Sequence, residues 1–268
     1  MSDYDFIIDN MKFSYSNIST FETCAYAWKL TYIDTLKREP NFFAEFGTLC
    51  HDILEKYFKG ELDLFNLPNY YEKHFYEVVQ SISLSGTMTQ NYYDAGYDFF
   101  TNIDINPDDF EILESELKTS SIWNGIELVV KPDIVLKEKS TGKIILMDYK
   151  TSIIKKNKNG SIAKSDIDKL NGYKKQLFLY AFFLSQNQKT KIEEIRLWFI
   201  RNNTFEIFQY TEKEAIETLN WFMKIVAKIK EEEKFIANIS NPFFCNNLCG
   251  VRMSCEFRIQ NPEKASES

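Results

Sequence analysis

Residues 126–151 read IELVVKPDIVLKEKSTGKIILMDYKT, two aliphatic runs parted by polar residues, each carrying an aspartate. Aliphatic and β-branched residues dominate, so two β-strands are predicted, over 126–136 and 142–151, with a turn at Lys139-Ser140-Thr141-Gly142 between them. Ile144, Ile145, Leu146 and Met147 follow one another directly, the pattern of a strand buried on both faces, and the run ends in Asp148-Tyr149-Lys150. Residues at i and i+2 of a strand share a face, so Asp148 and Lys150 point together while Tyr149 points away and leaves its carbonyl available. Asp133 lies fifteen residues earlier, after Pro132, on the preceding predicted strand. Two carboxylates and a carbonyl make a hard oxygen site suited to Mg²⁺ or Mn²⁺. A metal there can polarise a phosphoryl oxygen and acidify a bound water, while Lys150 orients that water and stabilises developing negative charge. A solvated sheet edge can also carry Asp and then Asp-x-Lys. The apolar run entering Asp148 argues against that reading, because an acid and a lysine where a buried strand emerges need a partner or a metal.

Outward from this stretch, the period of two begins after Asn106-Pro107 with FEILESEL (110–117), and Asn124-Gly125 marks a hairpin. Three consecutive antiparallel strands are the simplest arrangement. Glu114 and Glu116 on the first are candidates to support a metal or the lysine. A further strand pair is expected over 194–210, turning at Asn202-Asn203. Helical spacing appears over 13–36, where a Ser caps a helix carrying Cys24, and over 46–59, with His51 near the start. It appears again over 172–185, and after Thr211, which caps a long amphipathic helix. Residues 62–100 are aromatic, acidic and helical in spacing without a motif, and the polar 155–165 segment reads as a mobile loop.

The chain has 268 residues, 44% of them hydrophobic, enough for one sizeable core. One elaborated domain is expected: a mainly helical part over 1–105, a sheet core over 106–210, and a helix with a cysteine-bearing tail over 211–268. The net charge of −7 excludes a uniformly basic nucleic-acid coat, yet residues 150–175 hold eight lysines against two aspartates, a local +6 directly after the Asp148 strand. No apolar run nears the roughly 20 residues of a spanning helix, and the first residues, MSDYDFIIDN, are acidic where a signal peptide is basic. A cytoplasmic protein without a membrane partner is expected. Clustered cysteines in a reducing compartment more often hold metal than form disulfides. Cys245, Cys249 and Cys255 are clustered and Cys24 is distant; four thiolates suit an iron–sulfur cluster or a zinc ion, and spacing does not choose between them. Cys50 reads as a buried thiol and His74 as a solvated histidine.

SYSNISTFETCAYAWKLTYI (14–33), GTLCH (47–51), PD (132–133), DYK (148–150), GYKKQLFLY (172–180) and the C-terminal cysteine group occur in an order that resembles the RecB-like nucleases of the PD-(D/E)XK superfamily. That resemblance spans almost the whole chain. It implies a restriction-endonuclease-like α/β core, a mixed sheet flanked by helices, with a helical N-terminal insertion and a cysteine-rich tail. It implies a metal held by His51, Asp133, Asp148 and the Tyr149 carbonyl, with Lys150 acting on the nucleophilic water. Gln176 and Tyr180, four apart on one helix face, become DNA-contacting residues, with Lys155, Lys156, Lys158, Lys174 and Lys175 beside them. Cys24, Cys245, Cys249 and Cys255 become ligands of a [4Fe-4S] cluster, with zinc as the alternative; three residues rather than the family's two separate Cys245 from Cys249.

The function expected is metal-dependent hydrolysis of DNA phosphodiesters in recombination, repair or phage DNA metabolism. Lysine and aromatic contacts tolerate any sequence, which favours an exonuclease on single-stranded or frayed DNA. A helicase or recombination protein would then be a natural partner, since the chain shows no helicase module. The rivals are a noncatalytic DNA-binding subunit that keeps the fold and a sequence-specific endonuclease.

Overall fold

The computed structural model describes residues 4–116, 118–187 and 190–258, so Leu117, the last residue of the first predicted strand, and the end of the tail lie outside the described residues. In chain order the elements are α1 (Asp5–Asp9), β1 (Phe13–Ser14), α2 (Tyr15–Thr23), α3 (Ala25–Tyr32), α4 (Phe42–Phe58), α5 (Leu67–Val78) and α6 (Gly86–Thr101). They continue with β2 (Phe110–Ser115), β3 (Thr119–Trp123), β4 (Ile126–Val130), β5 (Ile134–Glu138), β6 (Ile144–Lys150), α7 (Ile167–Asn187), β7 (Glu194–Phe199), β8 (Thr204–Gln209) and α8 (Glu212–Glu231). Contacts divide the chain into two compact units: Met1–Asn41 with Ile122–Val129 and Asn220–Ser268, and Phe42–Ser121 with Val130–Leu219.

The second unit is built on a mixed sheet of order β2-β5-β6-β7-β8. β5 and β6 pair antiparallel, β6 and β7 pair parallel, and α7 makes the crossover that a parallel pair requires. Because β6 is central, its side chains are buried on both faces, as its aliphatic run foretells. Ile145, Met147 and Tyr149 point to one face, where they join Ile134, Leu136 and Trp198 in a core with Phe46, Ile53, Phe58, Tyr71, Phe75 and Phe100 from α4, α5 and α6. α7 packs on the strands from its own segment. The aromatic stretch of 62–100 is therefore a helical pair that backs α4. Gly96 makes the pairing close, since a Cβ there would fall 2.3 Å from the hydroxyl of the fully buried Tyr71.

The expected single strand over 126–136 is two strands. Lys131-Pro132-Asp133 interrupts it, because proline supplies no ladder N–H, and β4 and β5 belong to different sheets. Asp133 thus sits in a connection just before β5 instead of on a strand. The Asn124-Gly125 hairpin forms as expected, both residues taking the positive φ (47° and 77°) of a tight β-turn. The strand pair over 194–210 also forms, with Asn203 at φ 44°. Helix α7 starts at Ile167, earlier than expected, and the 155–165 segment is organised by a β-bridge from Lys156 to Ile162.

In the first unit, β1 pairs parallel with β4, Phe13 opposite Leu128. Ser14 accepts a hydrogen bond from the Asn17 N–H and starts α2. The predicted helix over 13–36 is broken at Cys24, which is extended (φ −160°) and whose sulfur accepts from the Ala27 N–H at 3.4 Å to cap α3. Trp28 on α3 donates to the buried Asn17 at 2.9 Å and stacks on Phe235 at 5.7 Å, tying residues from both ends of the chain together. Among the described residues no helix is long and apolar enough to cross a membrane.

Candidate active site

Asp148 lies where β6 leaves the core and is 2% exposed. Lys150, two residues on, shares its face as strand geometry requires, and its Nζ lies 2.6 Å from Asp148 Oδ2. That oxygen is buried and meets no aligned hydrogen-bond donor, so the contact is an ion pair. The lysine is held from α7 as well: Nζ donates to Gln176 Oε1 at 3.0 Å and sits 4.8 Å from the centre of the Tyr173 ring. Tyr173 is fixed in turn by a 2.9 Å hydrogen bond between its hydroxyl and that of Ser152.

The opposite face of the strand brings the histidine. His51 is the tenth residue of α4, well inside that helix and not near its start, because α4 begins earlier than its spacing suggests. Its Nε2 is 3.1 Å from the Tyr149 carbonyl oxygen and its Nδ1 is 3.4 Å from Asp133 Oδ1. Asp133 Oδ2 accepts from the Tyr149 N–H at 2.7 Å, so the aspartate bridges the histidine and the strand backbone. The Tyr149 ring is buried against Phe58, Trp198 and the edge of His51, which fixes the orientation of the peptide between the two carboxylates. Glu116, beyond the end of β2, completes a group: one ligand atom each from His51, Glu116 and Asp133 lies within 4.8 Å of the others, the sole such triple among the described residues.

Burial, together with the charge of Asp133, pushes Asp148 up to about 6. Burial acts to lower Lys150 and His51, but the nearby carboxylates outweigh it and both are raised. Burial acts to raise Asp133, and the adjoining His51, helped by Lys150 and the Tyr149 N–H, brings it down. The site therefore holds two carboxylates of opposed tendency around one lysine. Its donor set fits a hard divalent cation: carboxylate oxygens of Asp133 and Glu116 and one imidazole, gathered within 4.8 Å.

Gln176 and Tyr180 do lie together, Gln176 Nε2 donating to the Tyr180 hydroxyl at 3.3 Å, but Tyr180 is buried and Gln176 faces Lys150. Lys158 is exposed; Lys156 pairs with Glu206, and Lys174 pairs with Glu214 beside the Phe178 and Phe208 rings. Tyr173 was not singled out from sequence, although its place three residues before Gln176 puts it on the same helix face. In the other unit Cys24, Cys249 and Cys255 share one apolar cluster with Ala27, Leu30 and Val251. Cys245 joins them through Asn238, whose N–H reaches the Cys24 sulfur at 3.4 Å and whose carbonyl lies 3.7 Å from the Cys245 sulfur. Burial raises the Cys245 and Cys249 thiols, and the other cluster cysteines add to the shift. Cys50 is fully buried in α4, and burial pushes its thiol up.

A mixed sheet flanked by helices, with an aspartate, an Asp-x-Lys strand end and a histidine converging at one end, defines a restriction-endonuclease-like nuclease core. The family model described as the PD-(D/E)XK nuclease superfamily matches residues 12–256, and the chain belongs to that superfamily. Among solved structures, a candidate exonuclease from Eubacterium rectale is similar at 13% identity and a TM-score of 0.50, over 97% of this chain and 94% of that one. A structure designated SSO0001 matches at 13% identity and a TM-score of 0.34, over 88% and 96% of the two chains. No curated protein matches the sequence.

Proposed function

We propose that this nuclease is a RecB-like deoxyribonuclease that removes nucleotides from single-stranded or frayed DNA ends without sequence preference. The observation that carries the reading is the convergence of His51, Asp133, Asp148, Lys150 and the Tyr149 carbonyl at one end of the sheet. His51, Asp133, Asp148 and the carbonyl would hold Mg²⁺ or Mn²⁺, which when bound supplies Lewis acidity to the phosphoryl oxygen and to water. Lys150 orients the attacking water and offsets charge developing on the phosphate. Gln176 and Tyr173 hold its ammonium in place, so that little reorganisation is needed as charge develops. Asp148, lifted by burial and by Asp133, gains from any nearby positive charge. Lys155, Lys156, Lys158, Lys174 and Lys175 form the proposed DNA-contacting set, with Gln176 and the buried Tyr180 acting behind Lys150, and lysine contacts to phosphate are indifferent to sequence. A helicase or recombination protein would supply unwound ends.

Cys24, Cys245, Cys249 and Cys255 would hold a [4Fe-4S] cluster in the first unit. An all-thiolate zinc ion, with bonds of about 2.3 Å, needs sulfurs about 3.8 Å apart. Zinc on the same four thiolates is the alternative. Ligands more than two hundred residues apart in sequence would make it a structural clasp.

The test is cleavage of end-labelled single- and double-stranded DNA by anaerobically purified protein with Mg²⁺, Mn²⁺ or EDTA, comparing wild type with Asp148→Ala and Lys150→Ala. Metal-dependent loss of substrate that both variants abolish is expected, with a ladder of short products from one end. Cleavage that survives in both variants, or internal cuts at one sequence, would sink this reading.

A further inference from the structure

Glu116 is aimed into the site by two departures from regular structure and one hydrogen bond. The register of β2 against β5 shifts between Ile112 and Glu114, and such bulges re-aim the side chains that follow. Glu116 itself has φ +53°, a conformation uncommon for a residue with a side chain and one that must be held in place by its surroundings. Its N–H donates to the Asp133 carbonyl at 3.2 Å, tying this strained residue to the connection that carries the catalytic aspartate. The outcome is a carboxylate oxygen within 4.8 Å of ligand atoms of both His51 and Asp133. Glu116 is meanwhile ion-paired with Lys131, whose side chain is 55% exposed and lies two residues before Asp133.

Resting on the reading of this site as the cation centre, we propose that Glu116 is a further cation-binding residue and that Lys131 is the counter-ion it gives up. Loading of Mg²⁺ or Mn²⁺ is then an exchange: the divalent ion takes the carboxylate, and the ammonium swings into solvent, where its exposed stem leaves it free to go. Lys150 faces Asp148 and His51 faces Asp133, so Lys131 compensates the third carboxylate, Glu116, when no cation is bound, and in doing so sets a threshold cation concentration for activity.

The test is direct titration of the full, metal-free chain with Mn²⁺, following the free-ion EPR signal, with thermal melting as a check on folding. Glu116→Gln should weaken Mn²⁺ binding on the order of 10–100-fold, the range seen when groups supporting a metal site are lost. Lys131→Met should tighten binding several-fold, with the gain shrinking at high salt. Glu111→Gln, an exposed acid of β2 outside the site, should change nothing. Glu116→Gln matching wild type while His51→Ala loses binding would overturn the inference and leave the site reading standing. Lys131→Met that weakens binding would overturn the exchange. Absence of Mn²⁺ binding in the wild type and in every variant would defeat the site reading itself, and the inference with it.

Discussion

Replacing Gly96 with alanine tests whether the α5–α6 pair is as tightly docked as its geometry requires. In an exposed helix interior the change would stabilise by about 1 kcal/mol, the difference in helix propensity. Here the new methyl would stand 2.3 Å from the Tyr71 hydroxyl oxygen, 2.4 Å from the ring carbon bearing it and 2.8 Å from the next. Tyr71 cannot swing aside, because it is fully buried and its hydroxyl donates to the Tyr93 carbonyl at 3.1 Å and the Tyr92 carbonyl at 3.3 Å. Overpacking of this kind costs about 1–3 kcal/mol, and dislodging the hydroxyl adds about 1 kcal/mol. Set against the propensity gain, Gly96→Ala should destabilise by roughly 1–3 kcal/mol. At about 2–4 °C per kcal/mol for a protein near this size, calorimetry should record a Tm several degrees lower. Tyr71→Leu in the same background should recover part of the loss, since it removes the three clashing atoms together. Gly96→Ala as stable as wild type would refute the packing argument.

Two further outcomes are expected, one from the structure and one from the proposed cluster. Glu194 is buried and bonded to Lys143 at 2.9 Å and Arg196 at 2.6 Å; burial pushes its carboxyl up, but these cations bring it below the ordinary value. A depressed carboxyl stabilises above its unfolded value and loses that contribution as pH falls through the folded one. Glu194→Gln should therefore lower stability by about 1–2 kcal/mol at neutral pH, discounted for the part-exposed lysine, with the gap to wild type closing below about pH 4 in urea titrations. Cys24→Ser should abolish bound iron and sulfide and lower the Tm, while Cys50→Ser should keep the metal. Equal iron in both variants would remove Cys24 from the ligand set.

How much of this was readable from sequence depends on the range of the interaction that decides each feature. The β6 strand and the shared face of Asp148 and Lys150 follow from local periodicity, and the structure places them as that periodicity requires. The Asn124-Gly125 and Asn203 turns were legible because few other residues adopt positive φ readily. The break at Lys131-Pro132-Asp133 was signalled by the proline, yet the aliphatic residues on both sides outweighed it when periodicity alone was counted. The division of 13–36 at Cys24 was hidden, since a cysteine rarely caps a helix and its spacing there is compatible with one continuous element. Glu116 was legible only as one of two acids on the first predicted strand, because the bulge and the left-handed φ that set it beside His51 and Asp133 depend on pairing with β5. Tyr173 was missed because its partner, Lys150, lies on a strand more than twenty residues away.

The interleaving of the two units sets an order of events as the chain is made. Every residue of the unit that carries His51, Asp133, Asp148 and Lys150 has been synthesised by Leu219, whereas the other unit still lacks Asn220 onward and with it three of its four clustered cysteines. At roughly 5–20 residues per second the missing segment takes on the order of a few seconds to emerge. The side chains proposed for cleavage can therefore be gathered while the thiol set is still incomplete. Any metal carried by those thiols would be inserted late, into a molecule whose proposed cutting centre can already be built, and a cell short of that metal would hold chains finished at one site and open at the other.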